Sequence, residues 1–414
     1  MSHPKHVCGS RIRCAAFLAA LALSNGSASA IQIQIIPGSG FDNTSNQERI
    51  AWDYAVARWQ SWISPQQTGT VQISVEWASL DSSTSGTTYL DHWYPVAGKA
   101  LTGAQYKVFA GQNPAAVDAR MYFNSNDLPD TWHFDPATKA TNSQIDFVHV
   151  ALHEIGHALG VRASYNYHHA NSWGVRLNGY DYLTIWDTSL RDQYGHSPIP
   201  YDQGPDNFDE QSNVKFAGPN VLSNYGGTGM PVDTPGLSHV NANLTHGDVF
   251  FGLLYPDVAY TRGLYDSEVA MFKDVGWNIV DPAELHAKPD LAASSTSLLW
   301  RDGGSWDFGL PPTVSTAVFL DAVTQTPYVV QFRDAFTSEV QQNKSAKSIT
   351  IKGPATLLLN GASLSVTNDI QNDGVITLDG SGTNSLSAYQ LSVGNYFSGV
   401  TPKVDMQGGS LNCT

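Results

Sequence analysis

Apolar residues first recur at helical spacing in residues 45–63. Ile50, Ala51, Tyr54, Ala55, Trp59 and Trp62 share one face there and predict a core-facing helix. Ser45 with Glu48 offers a capping box at its start, and Pro65 a stop. The period then shortens to two. Val71, Ile73, Val75 and Trp77 alternate with other residues and predict a half-buried strand. Residues 118–124 are a second strand candidate and could be an edge strand that holds an extended peptide. Helical periodicity returns over 143–160. Phe147, Val150, Ala151, Leu152, Ile155, Ala158 and Leu159 supply apolar faces, Ser143 and Asp146 can cap the start, and Gly160 can end it. This order of elements predicts an α+β domain.

From 161 to 238 periodicity is weak, while Gly, Asn, Tyr and Pro are frequent. The aromatic content marks an ordered excursion rather than a flexible linker. Residues 267–277 predict another short helix, ending near Gly276. Beyond residue 282 the character changes. Residues 282–295 read as a linker, and short alternating runs separated by Asn, Gly and Asp then predict an all-β domain over 296–414. A quasi-repeat across 357–380 favours a β-helix over a sandwich.

Composition sharpens this picture. Only 14% of residues are charged and 36 are glycine, which suits a loop-rich, β-containing extracellular protein. A net charge of −15 disfavours nucleic acid or an anionic membrane surface as partner. Residues 1–30 read as a secretory signal, with Lys5, Arg11 and Arg13 before a short apolar run and a small-residue cleavage site ending at Ala30. That run is too short to span a bilayer, and no later apolar segment is long enough. Cys8 and Cys14 would leave with the signal, so Cys413 is the only thiol of the mature chain and no internal disulfide is expected. The expected organisation is signal peptide 1–30, α+β domain 31–281, linker 282–295 and β-rich accessory domain 296–414, exported from a bacterium to the extracellular space.

The chemistry concentrates in His153-Glu154-Ile155-Gly156-His157. Residues four apart on a helix lie one turn above one another, so His153 and His157 can offer two imidazoles to one metal. Zinc takes such nitrogen ligands, and a catalytic site keeps one position for water. Glu154 can sit beside that water and take its proton as it attacks a peptide carbonyl. His149 lies on nearly the same face, but three ligands along one straight helix cannot surround a metal, so a core or supporting role is expected for it. The acidic loop of Asp202, Asp206, Asp209 and Glu210 could bind Ca2+, but it lacks EF-hand spacing and reads better as a solvated loop. Trp186 and Asp187 could line a cleft, with a structural role the simpler reading.

"HEIGHALG", residues 153–160, resembles the start of the extended metzincin motif HExxHxxGxxH. Its glycine is Gly160, while Ala163 stands where the final histidine belongs. Leishmanolysin-like metzincins place a long insertion after that glycine and bring the third histidine after it, followed by a Met-turn. Ser238–His239 resembles that ligand stretch, and 253–256 resembles the Met-turn with Leu254 in place of methionine. Residues 267–277 are similar to the helix that follows in secreted bacterial zinc proteases of this type.

The resemblance spans roughly 31–280. It implies a zincin-like fold, one catalytic Zn2+ held by His153, His157 and His239, Glu154 as general base, and protein or peptide substrates. His246 is the alternative third ligand, and Glu268 would serve in a thermolysin-like scheme. His168, His169 and His196 read as polar loop residues. Tyr255 either assists the oxyanion or packs beside Pro256. The C-terminal domain resembles β-rich repeats of bacterial surface proteins and could bind a polymer or another protein. The competing reading, motivated by Ala163 and Leu254, is a non-catalytic adhesion or binding protein with a degenerate protease domain.

Overall fold

The computed structural model describes residues 30–39, 41–113, 116–127, 131–141, 143–165, 172–204, 207–211, 213–233, 236–240, 261–288, 297–321, 327–332, 344–352, 355–360, 362–379, 384–393, 402–408 and 410–413. The architecture is mixed α/β, mostly sheet with few helices and no closed barrel. Two hydrophobic cores divide it, one formed by residues 31–310 and the other by residues 285–388.

The first core is built on β1 (Gln32–Pro37), α1 (Gln47–Trp62), β2 (Thr70–Ala78), β3 (Gly86–Leu90), the hairpin β4 (Trp93–Val96) and β5 (Lys99–Thr102), α2 (Gly103–Phe109) and β6 (Ala119–Asn124). One sheet runs β1-β2-β6-β3, parallel throughout except for β3, which is antiparallel to β6. Residues 118–124 are therefore no edge strand. β6 is paired on both sides, and β3 forms the edge.

The predicted α1 exists, but its buried face is rotated. Trp52 and Val56 are inside, while Ile50 is 42% exposed. Its N-cap is Asn46, which makes no side-chain capping bond, so the Ser45–Glu48 box does not form. Ser45 instead gives its N–H and hydroxyl to Asn43 Oδ1.

After β7 (Trp132–His133) and β8 (Ile145–Asp146) comes α3 (Phe147–Ala158), the helix that carries the histidine pair. Asp146 caps it by accepting from His149 N–H; Ser143 lies outside the helix. α3 rests on α1, where Trp59 Nε1 donates to Leu152 O at 3.0 Å. Carbonyls in the last turn of a helix lack intrahelical partners. Two of them are met from elsewhere: Thr102 Oγ1 donates to Ala158 O and Trp277 Nε1 to Leu159 O. Gly160 then turns the chain at φ +109, a left-handed conformation open to glycine.

The excursion is ordered through β9 (Val175–Leu177), β10 (Tyr180–Tyr182), α4 (Ile185–Thr188), β11 (Leu190–Arg191), β12 (Lys215–Phe216), α5 (Pro219–Asn224) and β13 (Met230–Pro231). Asp187 anchors it. Its buried carboxylate accepts from Ser164 N, Ser164 Oγ and Thr184 N. Trp186 is buried and donates Nε1 to Leu237 O. Both residues thus hold the frame rather than line the cleft. α6 (Asp266–Asp274) closes this half of the molecule, one residue off the predicted start.

The second core lies between two all-parallel sheets. β14 (Glu284–His286), β16 (Ala317–Leu320), β19 (Ser348–Ile351), β21 (Ser363–Asn372), β23 (Ser385–Val393) and β25 (Ser410–Cys413) form one, with β18 (Lys344–Ala346) also paired to β21. β15 (Ser297–Leu299), β17 (Tyr328–Gln331), β20 (Ala355–Leu359), β22 (Val375–Leu378) and β24 (Lys403–Met406) form the other. The backbone winds, and apart from β18 consecutive strands join the two sheets alternately. Alternate residues point inward, as the strict alternation of buried positions in β20 shows. Asn at the corners serves the backbone: Asn360 Oδ1 accepts Phe332 N, and Asn384 Oδ1 accepts Ala362 N. Part of the expected linker is structure, because Glu284–His286 pairs with β16.

A tight seam joins the halves. Leu264 N donates to Gly309 O and Gly303 N to Leu264 O. Trp62 Nε1 donates to Phe308 O. No helix among the described residues is long and apolar enough to cross a membrane.

Candidate metal centre

His153 and His157 project from consecutive turns of α3, with their Nε2 atoms 3.0 Å apart. His239 arrives from the far end of the excursion, its Nε2 3.1 Å from that of His157. The delivery is explicit in the hydrogen bonds. Ala163, at the position of the absent histidine, gives its N–H to Ser238 Oγ at 2.9 Å. Asp233 N donates to His239 O, and a bridge joins Val232 to Val240. Leu237 takes φ +52, a conformation that costs a non-glycine residue on the order of 1 kcal/mol. The bond from Trp186 and that from Leu237 N to Asp233 O hold it there.

The protonation pattern suits a metal. His157 Nδ1 faces Val161 O at 2.6 Å. A carbonyl only accepts, so Nδ1 carries the hydrogen and Nε2 presents its lone pair. Burial, with the neighbouring His153, His239 and Arg162, holds His157 well below the usual imidazole range. Burial and Arg162 push His239 down to about 4. The three histidines can place one ligand nitrogen each within 4.8 Å of one another. Two nitrogens bound at zinc distances in a tetrahedron sit about 3.3 Å apart, so the spacing fits one shared ion.

Glu154 faces the same cleft, an opening of about 220 Å³ between α3 and residues 83–88. Burial raises its carboxyl to about 7, against the pull of Thr88 and Arg162. Thr88 Oγ1 donates to Glu154 Oε2 at 2.6 Å, which orients the group. β3 can lie this close because residue 86 is glycine: a Cβ there would stand 2.9 Å from Val150 and 3.0 Å from Glu154 Oε1. Gly86, Thr88 and Arg162 were not among the residues singled out from sequence. A glycine inside a strand pattern is the signal that could have found the first.

The remaining candidates lie apart from this cluster or outside the described residues. His246, Leu254, Tyr255, His168, His169 and Asp206 are in the second group. Glu268 is fully buried on α6 and accepts from Tyr265 N. His149 is buried behind the site with Nδ1 2.8 Å from Thr261 O. His196 pairs with Asp192. Asp202 accepts from Asp181 N and Glu210 from Tyr165 OH, while Asp209 N donates to Asp192. Among the described residues these acids form no metal-ligand group. No known protein family, curated protein or solved structure matches the chain, so the reading of this centre rests on its own residues.

Proposed function

We propose that the chain is a secreted zinc endopeptidase of metzincin type, with a zincin-like catalytic half and a β-helical accessory half. One observation carries the reading: three imidazoles on two separate segments converge beside a buried glutamate, under the edge strand of a sheet. His153, His157 and His239 would hold the ion, and zinc there supplies Lewis acidity and an acidified water.

The chain's own groups do the rest. Glu154 accepts a proton at Oε1 or Oε2 and returns it to the leaving nitrogen. Thr88 keeps that carboxylate aimed into the cleft. β3 pairs only with β6 among the described strands, so its outer edge can add an extended peptide as a further strand. The peptide backbone is then bound independently of side chains, and its carbonyls run past the histidines. Residues 1–30 fit an export signal, and the low share of charged residues fits an extracellular setting.

The test is Glu154→Gln. That variant should keep its zinc and lose casein cleavage by on the order of 100- to 10,000-fold, the usual share of a general base. Full activity in the variant would remove Glu154 from the chemistry. Zinc without cleavage in the wild type would favour the non-catalytic binding protein.

A further inference from the structure

We propose that Arg162 is the specificity-determining residue of this cleft and binds a carboxylate of the peptide substrate beside the bond that is cut. The inference rests on the peptidase reading and adds the substrate class. Arg162 lines the same cleft as the three histidines and Glu154. It follows the helix that bears His157 and precedes Ala163, whose N–H is tied to the residue before His239.

Its main chain is fixed on all sides. Val161 O faces His157 Nδ1, Arg162 O accepts from Thr184 Oγ1, and Ser164 N donates to Asp187. Its guanidinium, by contrast, has no hydrogen-bond or ion-pair partner among the described residues. The arginines elsewhere are engaged: Arg49 with Asp53, Arg120 with Asp91, Arg176 with Asp181 and Arg262 with Asp146.

A half-buried guanidinium that feels the Glu154 carboxyl but is not bonded to it, beside a centre suited to a dication, carries a desolvation cost. A bound anion offsets that cost. Ser83, Thr84 and Ser85, which also line the cleft, are neutral and hydroxyl-bearing, and Glu154 repels anions, so attraction for a carboxylate falls to Arg162. The planar guanidinium matches a carboxylate with two parallel N–H···O bonds. The net charge of −15 excludes a general attraction for acidic partners, which makes the preference local to this position.

The experiment uses fluorescein-labelled short peptides, blocked at both ends, with Asp or Asn placed at each position in turn. Binding to the zinc-loaded Glu154→Gln protein is read by anisotropy, and cleavage by the zinc-loaded wild type is read in parallel. At one position Asp should bind and be cut better than Asn by on the order of 10- to 100-fold. Arg162→Gln should bring that ratio to about 1, and Arg162→Glu should favour Lys at the same position. A free C-terminal carboxylate is tested with the same peptides left unamidated. A preference for that form alone, lost in Arg162→Gln, supports carboxylate binding and assigns it to the chain end.

No acid preference, a preference that survives Arg162→Gln, or equal losses for Asp and Asn peptides would each overturn the proposal. Binding with an Arg162-dependent acid preference but no cleavage would retain it and sink the peptidase reading. Cleavage without acid preference does the reverse.

Discussion

His239 is held neutral in the fold, and this has a measurable cost. Its ring titrates near 6.5 in the unfolded chain and at about 4 when folded. Above pH 6.5 both states leave it neutral and it adds no pH dependence. As pH falls from 6.5 towards 4, the unfolded chain takes up a proton that the folded chain refuses, so stability drops. The ring's share is about 3 kcal/mol, complete near pH 4. Urea unfolding of the EDTA-treated protein across that window should show the loss, and His239→Gln should show a shallower one. Equal slopes would mean that His239 is solvated and not gathered with His153 and His157. His157 moves in the same direction for the same reason, so the variant should retain part of the slope.

At the scale of elements, the end of α3 is the mechanical link between ligand and frame. Gly160 has φ +109, and a Cβ there would lie 2.3 Å from Gln105 Nε2. Gln105 cannot simply swing away, because it donates to Val275 O and accepts from Thr102 N. Gly160→Ala should therefore destabilise the protein by about 1–3 kcal/mol and weaken zinc binding with it, measured by denaturant unfolding and chelator competition. An unchanged affinity for zinc would show that the helix end does not set the ligand geometry.

This helix was the most legible part of the sequence. The spacing of His153 and His157 and the cap at Asp146 are local, and local rules read them. The third histidine is not local: it stands 82 residues beyond His157, and only its placement against Ser238 and Ala163 brings it back. Sheet order is equally remote from local pattern. Residues 118–124 look like any alternating strand, and nothing in them says that β3 pairs outside them. The rotation of α1 has a similar cause. Trp52 is selected by Phe123, which it meets edge-on, and that neighbour is invisible to helical periodicity.

At the scale of the whole molecule, the two cores are joined by backbone, not by a loose tether. A Cβ on Gly303 would stand 2.3 Å from Gly309 O and 2.5 Å from Leu264 O. Phe308 packs against both cores, and Arg58 Nη1 donates to Asp307 O across the seam. The wild type should thus unfold in one calorimetric transition. Gly303→Val should split it and lower the first step by several degrees, as expected for the loss of about two buried hydrogen bonds. Two transitions already present in the wild type would show that the seam does not couple the halves. The change of character near residue 282 was plain in sequence, but the seam was not. It depends on glycines at 263, 303 and 309, which read as ordinary loop residues.

The central claim is that His153, His157 and His239 bind one zinc ion together. X-ray absorption on the purified, zinc-loaded protein, with zinc counted per chain, tests it most directly. The expected result is one zinc per chain with three imidazole nitrogens at about 2.0–2.1 Å, falling to two in His239→Gln with metal affinity reduced by more than about 100-fold. A wild type without stoichiometric zinc, or a His239→Gln spectrum identical to the wild type, would contradict the account.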